Sequence, residues 1–210
     1  MIKKEFIIFA LISLTFAANA SENELCKKIG KKYPQDASLC KRVIKNGGPL
    51  DANVIPVCSE IANFSIFYAM TCVRKAVGKS FPKNAAQNCI EIAKKVKENS
   101  VNAVACVEVS VNNEFDDNIL ATCDEVAKYS TFNGYQCLSY AANSLFSKPA
   151  AKFCTAIAKA TKDFATYTFN CLELTADKNI SEDELAPCYE ELLKDEEFGP
   201  YKAKECLLQF

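Results

Sequence analysis

Twelve cysteines are the residues of this chain whose type and spacing best define a chemistry. The steps between neighbouring cysteines range from 14 to 18 residues. No Cys-x-x-Cys pair occurs, although structural zinc sites normally contain such close pairs. An even number of regularly spaced cysteines is instead typical of disulfide bonds in an oxidising compartment. We therefore predict disulfides at Cys26, Cys40, Cys58, Cys72, Cys89, Cys106, Cys123, Cys137, Cys154, Cys171, Cys188 and Cys206.

Other reactive groups are scarce. The chain contains no histidine, which removes Ser-His-Asp triads, Cys-His nucleophile pairs and almost all catalytic zinc sites. Its 6 glycines cannot assemble a glycine-rich phosphate loop. A pair of carboxylates could still act in a hydrolase, as in glycosidases. We predict no catalytic residue, no metal and no cofactor, and we keep a carboxylate-dependent hydrolase of cell-wall or carbohydrate material as an alternative.

The charge of the chain is nearly balanced, with 25 basic and 26 acidic side chains and a net charge of -1. A general nucleic-acid binder needs a basic surface that neutralises phosphates. We therefore expect no nucleic-acid partner.

The N-terminal segment has the pattern of a secretory signal peptide. Lys3 and Lys4 precede an apolar run from Phe6 to Ala18, and Ala18-Asn19-Ala20 is a small-residue cleavage site. The run is 13 residues long, which is shorter than the roughly 18 to 20 residues needed to span a bilayer. We predict a signal peptide at 1–20 and a secreted domain at 21–210, periplasmic or extracellular, without a transmembrane segment.

The cysteines also mark an internal repeat, and the structural elements of that repeat must hold the cysteines in position. Every second cysteine begins a copy with a period of 31 to 34 residues, and its neighbours recur as in Cys58-Ser-Glu-Ile61-Ala62 and Cys89-Ile-Glu-Ile92-Ala93. On a helix, the residues three and four places after a cysteine share its face, whereas the glutamate two places after it points away. Glycine and proline between cysteines indicate turns. The sequence therefore predicts an all-α solenoid, an αα superhelix of about six helical hairpins.

Two pairing schemes fit this arrangement, because bridged cysteines of a hairpin must lie equally far from its turn. One scheme pairs each cysteine with the next, beginning with Cys26 and Cys40, and uses every thiol. The shifted scheme begins with Cys40 and Cys58 and leaves Cys26 and Cys206 unpaired at opposite ends of the array. Free exposed thiols are reactive, so we favour the first scheme.

Two sets of residues are candidates for binding. Glutamate stands two residues after the first cysteine of four repeats, and these side chains form either a binding face or a solvated helix face; they are Glu60, Glu91, Glu125 and Glu190. Aromatic residues gather near the turns inside the hairpins, where we predict that they pack between successive hairpins rather than anchor a ligand. They are Phe64, Phe67, Tyr68, Tyr129, Phe132, Tyr135, Phe164, Tyr167 and Phe169.

In its repeated cysteine-bearing hairpins the chain resembles the secreted, disulfide-bridged Sel1-like repeat proteins. The likeness covers residues 21–210, but the bridged cysteines of that family lie closer together in sequence, and its Ala-Gly-Leu-Gly-Tyr motifs are missing here. The resemblance implies a right-handed αα superhelix with a surface that binds proteins or peptides.

These observations lead to three functional hypotheses. We expect a module that binds a protein, a peptide or a surface polymer through stacked hairpins. The first alternative is the carboxylate-dependent hydrolase, which requires two carboxylates in one cleft. The second is a structural component of the cell envelope without a defined ligand.

Overall fold

The computed structural model describes residues 20–97, 99–162, 164–195 and 198–210, which form twelve helices and no strand. The all-α prediction is confirmed. Apart from residue 20, the predicted signal peptide lies outside the described residues. The first helix, α1, covers residues 20–29, and the others are α2 (Pro34–Gly47), α3 (Val54–Phe64), α4 (Ile66–Ala76), α5 (Lys83–Val96), α6 (Val101–Ser110), α7 (Asp117–Tyr129), α8 (Thr131–Ala141), α9 (Lys148–Thr161), α10 (Thr166–Thr175), α11 (Glu182–Lys194) and α12 (Gly199–Leu207).

The helices stack as hairpins in two layers. Helix α3 pairs with α4, α5 with α6, α7 with α8, α9 with α10 and α11 with α12. The odd-numbered helices from α3 to α11 pack side by side in one layer, and the even-numbered helices from α2 to α12 pack in the other. Helices this short are marginal in isolation, so packing and cross-links must hold them.

Each hairpin contains one disulfide, and no cysteine is free. The pairing is the one that uses every thiol in sequence order, and the paired Cα atoms are 5.3 to 5.6 Å apart. Six such links indicate an oxidising environment, extracellular or periplasmic. The bonds join Cys26 to Cys40, Cys58 to Cys72, Cys89 to Cys106, Cys123 to Cys137, Cys154 to Cys171 and Cys188 to Cys206.

The buried face predicted beside the cysteines is confirmed. Ile61 and Ile92 lie three residues after the first cysteine of their repeats, and both are buried together with the alanines that follow them. Val126 and Ile157 take the same place in the next two repeats and are equally buried. These side chains fill the space between the two layers.

The turns inside the hairpins, with the helix starts that follow them, form one edge of the array, which we call the turn edge. Its described residues are 30–33, 65–67, 97, 99–101, 130–132, 162, 164–165, 195 and 198. Short turns contain a single residue, Ser65 or Ser130, which ends one helix and caps the next by accepting a backbone N–H three residues later. In the longer turns Lys97 and Lys162 adopt positive φ, at 46° and 48°. In the hairpins from α3 to α10, the cysteine steps of 14 and 17 residues correspond to these two turn types. The first hairpin also has a step of 14, across the longer turn at 30–33.

The connections between hairpins form the opposite edge, the loop edge: residues 48–53, 77–82, 111–116, 142–147 and 176–181. Each loop is hydrogen-bonded to the next through a residue with positive φ, a conformation that glycine, asparagine and aspartate tolerate. Its backbone N–H donates to a carbonyl oxygen of the preceding loop at 2.8 to 3.0 Å. The four residues are Gly78, Asn112, Asn143 and Asp177.

Side chains reinforce this loop-to-loop bonding. The side-chain oxygens of Asn112, Asn143 and Asp177 accept backbone N–H groups of the preceding loop at 2.8 to 3.2 Å. An apolar side chain from each loop is buried beneath the bonds; these are Leu50, Phe81, Phe115, Phe146 and Ile180. None of the described helices is long and apolar enough to cross a bilayer.

Candidate functional site

The four glutamates of the predicted binding face lie on odd-numbered helices. Glu190 on α11 is exposed, Glu60 on α3 and Glu91 on α5 are half-buried, and Glu125 on α7 is buried. A carboxylate oxygen of Glu60 accepts a hydrogen bond from the side-chain amide of Asn63 at 3.0 Å. The structure therefore places the glutamates in different surroundings, and their role in binding stays a prediction.

Lysines one helical turn away neutralise two of these carboxylates. Glu91 accepts a hydrogen bond from Lys94 at 2.8 Å, and Glu125 accepts one from Lys128 at 2.6 Å. The hydrogen bond from Lys128 holds the pKa of the Glu125 carboxyl below its usual range. These ion pairs neutralise Glu91, the single acidic residue of α5, and Glu125, one of three acidic residues on α7.

The contact between α5 and α7 contains two further charged groups. Asp124 is half-buried, and its burial, with the nearby Glu91 carboxylate, raises its pKa. Lys95 reaches across from α5 and donates to the carbonyl oxygen of Ala127 at 2.8 Å, and burial lowers its pKa. Opposite charges from the two helices thus offset one another here.

Helix α9 differs because its charges are all of one sign. It contains no acidic residue, and Lys148, Lys152 and Lys159 are exposed. At 100° per residue the three lysines lie within an arc of about 40°, so they form one ridge, which we call the lysine ridge. Among the described residues, none of the three has an ion-pair partner within 4.0 Å.

A groove lies on each side of the lysine ridge, because the residues that flank it are small. The groove between α7 and α9 has a volume of about 380 Å³, and the groove between α9 and α11 has a volume of about 750 Å³. The Tyr189 ring meets Phe153 edge-on at 4.7 Å, which fixes one wall of the second groove. The lining residues include Ala121, Ala151 and Thr155 in the first groove and Ala156, Ala160, Tyr189 and Leu193 in the second.

The turn edge carries one exposed apolar side chain in every hairpin, within two residues of the start of each even-numbered helix. Their exposed fractions range from 47% to 72%. Aromatic rings account for five of the six positions. The residues are Tyr33, Phe67, Val101, Phe132, Phe164 and Phe198.

The prediction that the turn aromatics pack between hairpins is wrong for four of them. Tyr68, Tyr135, Tyr167 and Phe169 pack against the core, whereas Phe67, Tyr129, Phe132 and Phe164 are 72%, 39%, 50% and 62% exposed. The three exposed phenylalanines lie at or next to the helix starts, where each contacts a tyrosine of its own hairpin. The centroid distances are 5.3 Å for Phe67 and Tyr68 and 5.3 Å for Phe132 and Tyr135.

The grooves beside α9 do not supply the carboxylate pair that the hydrolase alternative requires. Their described lining residues include lysine, alanine, leucine and tyrosine but no aspartate or glutamate. Within the described ranges, no group of three or more His, Cys, Asp or Glu side chains is placed to hold a metal ion. The hydrolase stays a prediction, and neither of these grooves offers the two carboxylates that it requires.

Comparisons with known proteins give no relative: the chain matches no family model, no curated protein and no solved structure. The resemblance to Sel1-like repeat proteins stays a prediction from the sequence.

Sequence reasoning missed the lysine ridge, although a signal for it was present. Lys148, Lys152 and Lys159 are spaced to share one helical face, and no acidic residue lies between them. The exposure of the turn aromatics had no such signal, because it depends on where each helix begins.

Proposed function

We propose that this protein is a secreted binding module that holds an extended acidic segment of a protein or peptide along the face of its odd-numbered helices. The lysine ridge and its two grooves carry this proposal. Three unpaired lysines on one helix attract a partner of opposite charge and orient it. The grooves then offer room for apolar side chains of that partner.

The size of α9 sets the length of the bound segment. Its 14 residues extend about 21 Å, which an extended peptide of about seven residues would span. An anionic surface polymer would share the attraction to the lysines but has no apolar side chains for the grooves. The grooves therefore favour a peptide that alternates acidic and apolar residues.

Secretion is supported by two independent features. The six disulfides require an oxidising compartment, and the N-terminal sequence has the charge, apolar run and cleavage site of a signal peptide. Disulfide bonds keep the binding face of such an array folded outside the cell, where disulfides are reduced slowly.

The test is a titration of a fluorescein-labelled peptide of alternating glutamate and leucine, followed by fluorescence anisotropy. We expect binding that weakens with salt. We also expect a loss of about tenfold or more in affinity when Lys152→Glu and Lys159→Glu are combined, because the ridge would then repel the peptide.

The matched control combines Lys41→Glu with Arg42→Glu on α2, where both residues are exposed. This variant changes the net charge equally but lies in the even-numbered layer, so it should bind the peptide as the unsubstituted protein does. Equal losses in both variants, or equal affinity for a lysine-leucine peptide, would refute the proposed site.

A further inference from the structure

The exposed side chains of the turn edge are not a necessary consequence of the fold. The loop edge of the same repeats also carries bulky apolar residues, yet its Phe81, Phe115 and Phe146 are only 3% to 8% exposed. A chain that buries a bulky apolar side chain at one edge of every repeat could do so at the other. The exposure of such side chains in successive hairpins therefore points to a surface that something else covers.

The shape of the turn edge distinguishes it from the grooves beside α9. Its apolar residues lie at or next to the helix starts, where the chain reverses direction, and none of them lines either groove. They form a row of tips, one for each hairpin. We expect such a row of side chains to fit against a broad, deformable surface better than against a single extended peptide.

The charges of the two edges differ as well. In the first five hairpins, the sequence from the last four residues of each odd-numbered helix to the end of the turn contains ten lysines and two acidic residues. Three of these lysines, Lys27, Lys94 and Lys128, form ion pairs with glutamates that lie just before these segments, so seven lysines remain against the two acidic residues. The corresponding segments at the loop edge contain five basic and six acidic residues. Both edges receive helix C-termini, whose dipoles favour lysine equally. The dipole therefore does not explain the excess of lysine at the turn edge.

Exposed aromatic rings among lysines are the combination by which proteins bind the surface of an anionic bilayer. We propose that the turn edge of the first five hairpins docks this protein on an anionic phospholipid membrane. Phe67, Phe132 and Phe164 enter the headgroup region, while lysines such as Lys31 and Lys97 attract the lipid phosphates.

This docking goes beyond the proposed peptide binding. Lys159 belongs to both surfaces, but the residues replaced in the docking test lie outside the lysine ridge, so either proposal can fail without the other. The sixth hairpin is excluded, because one lysine stands against four acidic residues in its segment 191–198. A second copy of the chain is a poorer occupant than a bilayer. Two basic turn edges would repel each other, and the loop edge is close to neutral.

The test is co-sedimentation of the exported, oxidised protein with phospholipid vesicles. Mass spectrometry first identifies the N terminus of the exported protein. Vesicles of phosphatidylcholine and phosphatidylglycerol in equal parts should bind the protein at about 0.1 M salt and less at about 0.5 M. Pure phosphatidylcholine vesicles should bind it weakly. Combining Phe67→Ser, Phe132→Ser and Phe164→Ser should lower the partition coefficient on anionic vesicles by about tenfold or more.

A charge variant and an apolar control make the result specific. Lys31→Glu with Lys97→Glu should also weaken binding and reduce its dependence on salt. The control combines Leu145→Ser, Leu208→Ser and Phe210→Ser, three exposed apolar residues outside the turn edge, and should bind like the unsubstituted protein. The helical circular dichroism signal of each variant checks that it is folded. The single Phe67→Ser variant provides a second measurement of vesicle binding.

Three results would overturn membrane docking. The first is no binding to anionic vesicles by the unsubstituted protein. The second is unchanged binding after the three phenylalanines are replaced. The third is self-association in the absence of vesicles, seen by sedimentation velocity and abolished by the same replacements, which would identify a second copy as the occupant.

Discussion

The loop edge and the turn edge join the same helices but are held in different ways. At the loop edge an apolar side chain from every loop is buried, and the loops are bonded to one another through residues such as Asn143. No disulfide closes a loop across this edge. At the turn edge apolar side chains are exposed, and a disulfide encloses every turn.

The difference shows what a covalent link makes possible. Each disulfide closes a loop around its turn, with 14 to 18 residues separating the two cysteines, and contributes about 3 kcal/mol by restricting the unfolded chain. A turn closed in this way does not need a buried side chain to stay closed. The exposed apolar residues of the turn edge are therefore available for binding, whereas each loop of the loop edge commits one apolar side chain to the core; Leu145 is an exposed exception.

Reduction of the disulfides should have the largest effect on this contrast, because it removes the closure of all six turns. We expect a strong thiol reductant to lower the melting temperature sharply or to abolish folding. Thermal melts followed by circular dichroism, with and without reductant, measure the change. An unchanged melting temperature would contradict the role assigned to the links.

Matched substitutions of phenylalanine at the two edges should have unequal costs. Phe146 at the loop edge is buried, so Phe146→Ala should lower the free energy of unfolding by about 3 kcal/mol or more. Phe132 at the turn edge is exposed, so Phe132→Ala should cost less than about 0.5 kcal/mol. Urea unfolding of both variants measures the difference, and equal costs would remove the distinction between the edges.

The loop-to-loop hydrogen bonds should make a smaller contribution. Asn143→Ala removes the side-chain oxygen that accepts the Glu114 backbone N–H at 3.0 Å, and alanine tolerates the positive φ of 60° poorly. We expect a loss of about 1 to 2 kcal/mol in urea unfolding. Asn143→Gly keeps the backbone conformation accessible and should cost less. If glycine proves as costly as alanine, the positive φ contributes nothing to the preference for asparagine.

The architecture was predictable from the sequence because it depends on periodic, local patterns. The cysteine spacing, with the Ile-Ala pairs after Cys58 and Cys89, predicts the helices, their buried faces and the pairing of neighbours. The helices pack with the faces that this pattern predicts turned to the core. The parity of the cysteines was sufficient to choose between the two pairing schemes.

The candidate sites were less predictable, because exposure depends on where neighbouring elements end. Phe67 and Phe81 are both phenylalanines next to turns, yet one is exposed and the other is buried. The difference arises because Phe81 lies in a loop bonded to its neighbour, whereas Phe67 lies in the first turn of a helix. The glutamates show the same limit, since the pairing of Glu125 with Lys128 depends on side-chain positions that the spacing alone leaves open.

Tryptophan fluorescence offers the most direct measurement of the central claim, which is that the turn edge is an exposed membrane-docking surface. The chain contains no tryptophan, so each introduced residue reports on its own site. Phe67→Trp at the turn edge and Leu145→Trp at the loop edge form a matched pair, since the original side chains are 72% and 71% exposed.

Both variants should emit at long wavelength in buffer, as exposed indoles do. Only the Phe67→Trp emission should shift to shorter wavelength on anionic vesicles, and it should remain unshifted on pure phosphatidylcholine. A Phe67→Trp emission unchanged by anionic vesicles, or an equal shift of Leu145→Trp, would contradict docking through the turn edge.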